Sequence, residues 1–174
     1  ILINYFPALV KDTLEIELRD GGKSITVNST NFIDFFESNA VQDALKKVDP
    51  DLVDELHRTL YFVSAMMESR GGKLRDQQAS APLGLVHFNI FVDDNAPRAY
   101  CLVRRDMKIC EKVPNLQRIS TKYSNFAMVI ECQTSEANSL IRSREPSEHD
   151  RVEIGRLKEG KRTEGEKLWR LLRD

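Results

Sequence analysis

Residues 85–92, with the sequence LVHFNIFV, are the most strand-like stretch of this chain. Apolar side chains dominate it, and the polar His87 and Asn89 alternate with them, which is the period of a β-strand. The Asp-Asp-Asn-Ala-Pro sequence of residues 93–97 is typical of a turn, and residues 99–103 are again apolar. The sequence therefore predicts that residues 99–103 form a strand that pairs back on residues 85–92.

A β-hairpin is predicted close to the N-terminus. Apolar and polar residues alternate over residues 14–18, and residues 24–27 return as the partner strand. Gly21 and Gly22 favour the tight turn between them, because glycine adopts positive φ without steric cost. Two more strands are predicted at residues 107–110 and 126–132.

Helices are predicted between these groups of strands and after them. The Asp-Pro-Asp sequence of residues 49–51 places proline and acidic residues where a helix begins, and the glycine pair at 71–72 is expected to end that helix. A shorter helix capped by Thr30 is expected before it, and the polar residues 73–82 after it are expected to be mobile. Further helices are predicted at residues 134–144 and 164–172.

Together these elements predict an α+β fold, in which an antiparallel or mixed sheet is covered by helices. We expect three segments along the chain. Residues 1–73 would hold the hairpin and the first helices, residues 74–155 the α+β core, and residues 156–174 a charged linker and a C-terminal helix.

The overall charge argues against some classes of partner. The chain has 174 residues and a net charge of −1, so it carries no global field that would attract nucleic acid or anionic lipid. No apolar run is long enough to cross a membrane, and no membrane contact is expected. Three cysteines lie far apart without a nearby second ligand, so we expect reduced, packed thiols and no metal site.

Arg104, Arg105 and Asp106 lie where one predicted strand ends and the next begins. Two guanidinium groups at a strand end suit the recognition of phosphate or carboxylate, since arginine offers a planar fork of donors. A solvated turn with a local Arg–Asp pair is the alternative.

Titratable side chains crowd the region that follows the helix at 134–144. Glu145, Glu148, His149 and Asp150 could form an acid–base site. The alternative is structural, with Glu145 and Asp150 bonded to backbone donors or to neighbouring arginines. A nucleophilic pair of Cys132 with His87 is a further alternative, since such partners meet only in space.

Residues 137–150, with the sequence ANSLIRSREPSEHD, carry the clearest resemblance to a known family. They are similar to the Ala-Asn-x-x-Leu-Arg-x-x-Glu-Pro-Pro-x-His-Asp motif of bacterial GHKL ATPase-like proteins, relatives of gyrase B, the MutL repair proteins and the heat-shock chaperone ATPases. The Arg-Arg-Asp-Met-Lys-Ile sequence of residues 104–109 resembles that family's Arg-x-Gly-Met-x-Ile block, with Asp106 in place of glycine, and residues 4–17 and 87–103 add weaker likenesses. The motif residues present in this chain are Asn138, Arg142, Glu145, Pro146, His149 and Asp150.

The resemblance implies that this chain is the transducer-like βαβ region that follows the ATP-binding domain of a cytoplasmic protein. The ATPase motifs themselves are absent from the sequence, so the ATP-binding domain is expected upstream of Ile1 in the same polypeptide, with ATP and Mg²⁺ as its cofactors. No catalytic residue and no cofactor are expected in residues 1–174. In such relatives a basic residue of this region faces the γ-phosphate, and Arg104 or Arg105 is the expected residue here. A homodimer is also implied.

Two other functions remain open from the sequence. A stand-alone module could bind nucleic acid or protein through the arginines of residues 142–173, although acidic residues interleave them. A small hydrolase could use Glu145, His149 and Asp150.

Overall fold

A computed structural model describes residues 2–67, 73–80, 84–111, 124–143 and 145, with the backbone alone at 73–80. The Glu-Pro-x-x-His-Asp residues Pro146, Glu148, His149 and Asp150 lie outside the described residues, as does the helix predicted at 164–172. The elements are α1 (Phe6–Val10), β1 (Ile16–Asp20), β2 (Lys23–Val27), α2 (Phe32–Glu37), α3 (Asn39–Val48), α4 (Pro50–Met66), β3 (Lys73–Ser80), β4 (Gly84–Val92), β5 (Ala99–Arg104), β6 (Met107–Cys110), β7 (Phe126–Cys132) and α5 (Ser135–Arg142). The predicted α+β class is confirmed.

The main sheet has the strand order β3-β4-β7-β5-β6. Strands β5 and β7 run parallel, and the other neighbours run antiparallel. The prediction that residues 99–103 pair with residues 85–92 is therefore wrong, because β7 lies between β4 and β5. Most of β7 is buried, and apart from Glu131 its residues are apolar on both faces, so a central position removes more apolar surface from water than an edge position would.

Each face of this sheet carries its own apolar core, since successive residues of a strand point to opposite faces. Helices α1 and α4 cover the first face, which we call the α4 face, and helix α5 covers the second, the α5 face. Buried residues of the α4 face include Phe6, Leu9, Leu56, Phe62, Cys101, Val103 and Val129. Those of the α5 face include Tyr100, Leu102, Ile130, Cys132, Ala137 and Ile141. The core of the α4 face joins residues on both sides of the segment boundary expected at 73–74.

The start of helix α4 follows from its local sequence. Asp49 is the N-cap and accepts a hydrogen bond from the backbone N–H of Asp51, and Pro50 occupies the first turn. The helix ends at Met66, before the glycine pair that was expected to stop it. A helix that was not predicted, α3, precedes α4 and is capped by the Ser38 side chain.

Residues 73–80 form an edge strand, which the sequence did not predict. Strand β3 pairs antiparallel with residues 84–91 of β4 through backbone hydrogen bonds, which do not require apolar side chains. Polar residues are common on edge strands because one side of the strand faces water.

The predicted hairpin is confirmed as a separate two-stranded sheet of β1 and β2. Gly21 and Gly22 both have positive φ at its turn.

No helix in the described part of the chain has the length and apolar character that a bilayer crossing requires.

Candidate functional site

The two arginines that the sequence selected lie at the end of β5 and in the turn that leads to β6, and the backbone of this turn is unusual. Arg105 has a φ of 55°, in the left-handed region, and its backbone N–H donates to the carbonyl of Cys132 at 3.4 Å. Asp106, the residue that stands where the GHKL-type block has glycine, is not among the residues with positive φ. The tight turn therefore places its strained position on Arg105, whose side chain is exposed.

Lys11, just after α1, holds this turn against the sheet. Its Nζ lies 2.8 Å from Oε1 of Glu131 and 3.1 Å from Oδ1 of Asp106, and it donates to the backbone carbonyl of Arg105 at 3.2 Å. Asn89 Nδ2 donates to the other oxygen of Glu131 at 2.9 Å. We call these five residues the turn cluster. The expected local Arg–Asp pair is wrong, because Asp106 pairs with Lys11 instead.

The charge on Lys11 is stabilised within this cluster. Partial burial lowers the pKa of the Lys11 ammonium, but the hydrogen bonds and negative charges of Glu131 and Asp106 outweigh burial and raise it above 10.5. The ammonium is therefore charged at neutral pH, and it links α1, β7 and the β5–β6 turn electrostatically.

Arg104 and Arg105 point to different environments. Arg104 makes a bidentate ion pair with Glu145, with Nε–Oε1 at 2.7 Å and Nη2–Oε2 at 3.0 Å. The Glu145 side chain is 1% exposed and that of Arg104 is 15% exposed, so the pair is largely desolvated. Among the described residues, Arg105 has no ion-pair partner for its guanidinium. The two arginines therefore have different roles. Arg104 stabilises the structure through Glu145, whereas the guanidinium of Arg105 is available to bind an anion.

A second ionic cluster lies on the α4 face, around Lys108 of β6. The Lys108 side chain is 4% exposed, and its Nζ lies 2.9 Å from Oε1 of Glu55 and 2.6 Å from Oε1 of Glu111. Arg58 of α4 contacts Glu111 from the other side, with Nε–Oε2 at 3.0 Å. These four residues, the α4 cluster, fix the edge strand β6 to helix α4.

Acid is expected to weaken the α4 cluster through Glu111. Burial raises the pKa of Glu111, but the charge of Lys108 and the hydrogen bonds from Lys108 and Arg58 outweigh it and lower the pKa below 4.5. A carboxyl whose pKa is depressed by folding adds stability above its unfolded pKa, and loses it as pH falls through the folded pKa. Glu111→Gln should therefore be less stable than the wild type near neutral pH.

The measurement is urea unfolding of both proteins at several pH values from about 7 to about 3. The difference in free energy of unfolding should shrink as pH falls below 4.5, the ordinary pKa of a glutamate carboxyl. A difference that stays constant across this range would contradict the assignment.

The motif residues of α5 divide into a buried member and an exposed one. Asn138 is buried, and its Nδ2 donates to the backbone carbonyls of Thr134 at 2.7 Å and Gln133 at 3.2 Å, which stabilises the start of α5. Arg142 is exposed at the end of the helix. Glu145 forms an ion pair with Arg104 of β5, so its carboxylate is already engaged.

The alternative nucleophilic pair is wrong. In the β4–β7 register, His87 lies opposite Glu131 and Val86 lies opposite Cys132, so His87 and Cys132 point to opposite faces of the sheet. Burial also raises the pKa of the Cys132 thiol to about 12, which keeps it protonated at neutral pH. All three cysteines are free and buried, as expected. The described residues include no group of histidine, cysteine and acidic side chains that could hold a metal ion.

Sequence reasoning selected the two arginines but missed their surroundings. Lys11, Glu131 and Lys108 were not predicted as site residues. A signal was present for two of them, since Glu131 and Lys108 are single charged residues inside strands that are otherwise apolar. A buried charge in such a strand requires a partner.

Comparison with known proteins identifies no relative of this chain. No protein-family description, no curated protein and no solved structure matches the chain. The function is therefore argued from the residues and the geometry.

Proposed function

We propose that this chain is the non-catalytic transducer region of a larger GHKL-type ATPase, in which it relays the state of a nucleotide bound by another domain. The observation that carries the proposal is the turn cluster, which ties α1 to the turn that presents Arg105. Helix α1 is thereby connected, through Lys11, to the exposed guanidinium of Arg105.

Arg105 has the chemistry that a γ-phosphate sensor requires. Its guanidinium is exposed and has no ion-pair partner among the described residues, while Lys11 neutralises the adjacent Asp106. A guanidinium binds the terminal phosphate of ATP through charge-assisted hydrogen bonds and loses that partner after hydrolysis and phosphate release. This difference in affinity between two nucleotide states is what a conformational switch needs.

Lys11 gives the sensor a route to the rest of the fold. Its ammonium contacts the turn through Asp106 and the Arg105 carbonyl, and contacts the sheet through Glu131. A displacement of the turn by nucleotide would change the contacts with the turn while the bond to Glu131 remains. In this arrangement Arg104, held by Glu145, is a positioning residue at the base of the turn.

The test uses the complete polypeptide with its upstream ATP-binding domain and Mg²⁺. Arg105→Ala should lower the rate of ATP turnover by at least about tenfold while nucleotide affinity changes less, since the contact is made with the reacting phosphate. Arg98→Ala is the matched control, because Arg98 is also exposed and has positive φ, but lies at the opposite end of β5.

Three outcomes would each refute part of the proposal. Unchanged kinetics in Arg105→Ala would remove the sensor role. ATP hydrolysis by residues 1–174 alone would contradict the non-catalytic assignment. A coding sequence with no ATP-binding domain before Ile1 would refute the relay itself.

A further inference from the structure

The β1–β2 hairpin stands apart from the main sheet and has an open edge. Strands β1 and β2 pair only with each other, and no described residue pairs with the outer edge of β1. Unpaired N–H and C=O groups on such an edge can accept a further strand. The hairpin can therefore extend its sheet with a strand from elsewhere.

One face of the hairpin has an exposed apolar pair near its turn. Leu18 and Ile25 lie directly opposite each other, and their exposed fractions are 39% and 54%. They continue the row that begins with Ile16 and the buried Val27, which packs into the core of the α4 face. The apolar row thus extends beyond the part of the hairpin that the fold covers.

The other face of β1 is self-complementary in charge. Glu17 and Arg19 lie on it, and their side chains pair at 2.6 Å. If β1 of a second copy pairs antiparallel with β1 and both Leu18 residues lie opposite each other, each Glu17 faces Arg19 of the other copy. Unlike charges directly opposite across a sheet are stabilising, and like charges are destabilising.

Neighbouring registers are less favourable for physical reasons. A shift that brings the two copies of Glu17 or the two copies of Arg19 opposite each other creates repulsion. A shift by one residue places Leu18 against a charged residue, since it exchanges the faces of the strand. Strand β2 has no acidic residue, so its edge lacks this reciprocal pattern.

We propose that β1 is a homodimer interface, in which two copies pair their β1 strands antiparallel about a two-fold axis and form a four-stranded sheet in the order β2-β1-β1-β2. The partner is a second copy because the same residues supply both halves of the contact, as an isologous interface requires. Leu18 and Ile25 of both copies then form one apolar row. The contact is small, so the dimer is weak and depends on concentration.

The experiment is sedimentation equilibrium of the protein over a concentration series. Arg19→Glu and Glu17→Arg each replace the attraction at both symmetric positions by repulsion, and each should raise the dimer dissociation constant by about tenfold or more. The two variants mixed in equal amounts should associate with each other, because positions 17 and 19 are then both acidic in one copy and both basic in the other. The double variant Glu17→Arg/Arg19→Glu should dimerise like the wild type.

The Glu17 and Arg19 side chains are both exposed, and circular dichroism checks that each variant is folded. Lys47→Glu, an exposed charge change on α3, is the control and should leave the dissociation constant unchanged. A wild-type protein that stays monomeric at the highest concentration, a single variant that dimerises as well as the wild type, or a mixture that remains monomeric would overturn the proposal.

Discussion

Lys108→Ala is expected to lower the free energy of unfolding by about 3 kcal/mol, because Lys108 is the buried cation that Glu55 and Glu111 share and its loss removes both ion pairs. The Lys108 side chain is 4% exposed and sits between Glu55 and Glu111, within 2.9 Å and 2.6 Å of their oxygens. Arg58 would neutralise Glu111 in the variant, but Glu55 would keep no described basic partner. Urea unfolding monitored by circular dichroism measures the change.

Lys47→Ala is the matched control for this prediction. Lys47 is an exposed lysine in the last turn of α3 without a described ion-pair partner, so its loss should change stability by less than about 0.5 kcal/mol. Equal effects of the two substitutions would show that the α4 cluster does not stabilise the fold.

Arg104→Ala is expected to cost about 3 kcal/mol of stability as well, because it removes a bidentate ion pair in which the Glu145 side chain is 1% exposed. Arg104→Lys should recover only part of that loss, since an ammonium cannot reproduce two parallel N–H···O bonds. Urea unfolding of both variants and of Arg105→Ala gives the comparison.

A double-mutant cycle separates the pair from the side chains around it. Arg104→Ala/Glu145→Ala should be more stable than the sum of the two single losses predicts, because each single variant already loses the same Arg104–Glu145 ion pair. Arg105→Ala should stay within about 0.5 kcal/mol of the wild type, since its side chain is exposed. Strictly additive losses for Arg104 and Glu145 would contradict a coupled pair, and a large loss for Arg105 would contradict its availability as a sensor.

The elements predicted correctly are those whose signals are local. The hairpin follows from alternation and two glycines, and the start of α4 follows from Asp49 and Pro50. Strand β3 was missed because its polar sequence has no apolar alternation, and backbone pairing with β4 decides its conformation. The end of α4 was predicted too late, because the backbone already becomes extended at Met67, before Gly71 and Gly72.

In the candidate site, too, local features could be predicted from the sequence and contacts between distant residues could not. Arg104 and Arg105 could be selected because two adjacent arginines at a strand end have a recognisable chemistry. Their different roles could not be predicted, since the partner of Arg104 is Glu145, 41 positions away, and Lys11 is 95 positions from Asp106. The choice of partner for each charged side chain depends on how Lys11, after α1, and Glu145, after α5, pack against the sheet.

By itself the sequence determined the fold class, the hairpin and most of the strands, because turn chemistry and side-chain periodicity act over a few residues. Only the tertiary structure decided that β7 lies between β4 and β5, that Lys11 holds the β5–β6 turn, and that Arg104 is paired while Arg105 is available. Strand order and charge pairing depend on contacts between residues that are distant in the chain. Those contacts are selected by the burial of apolar surface and by the need to compensate every buried charge.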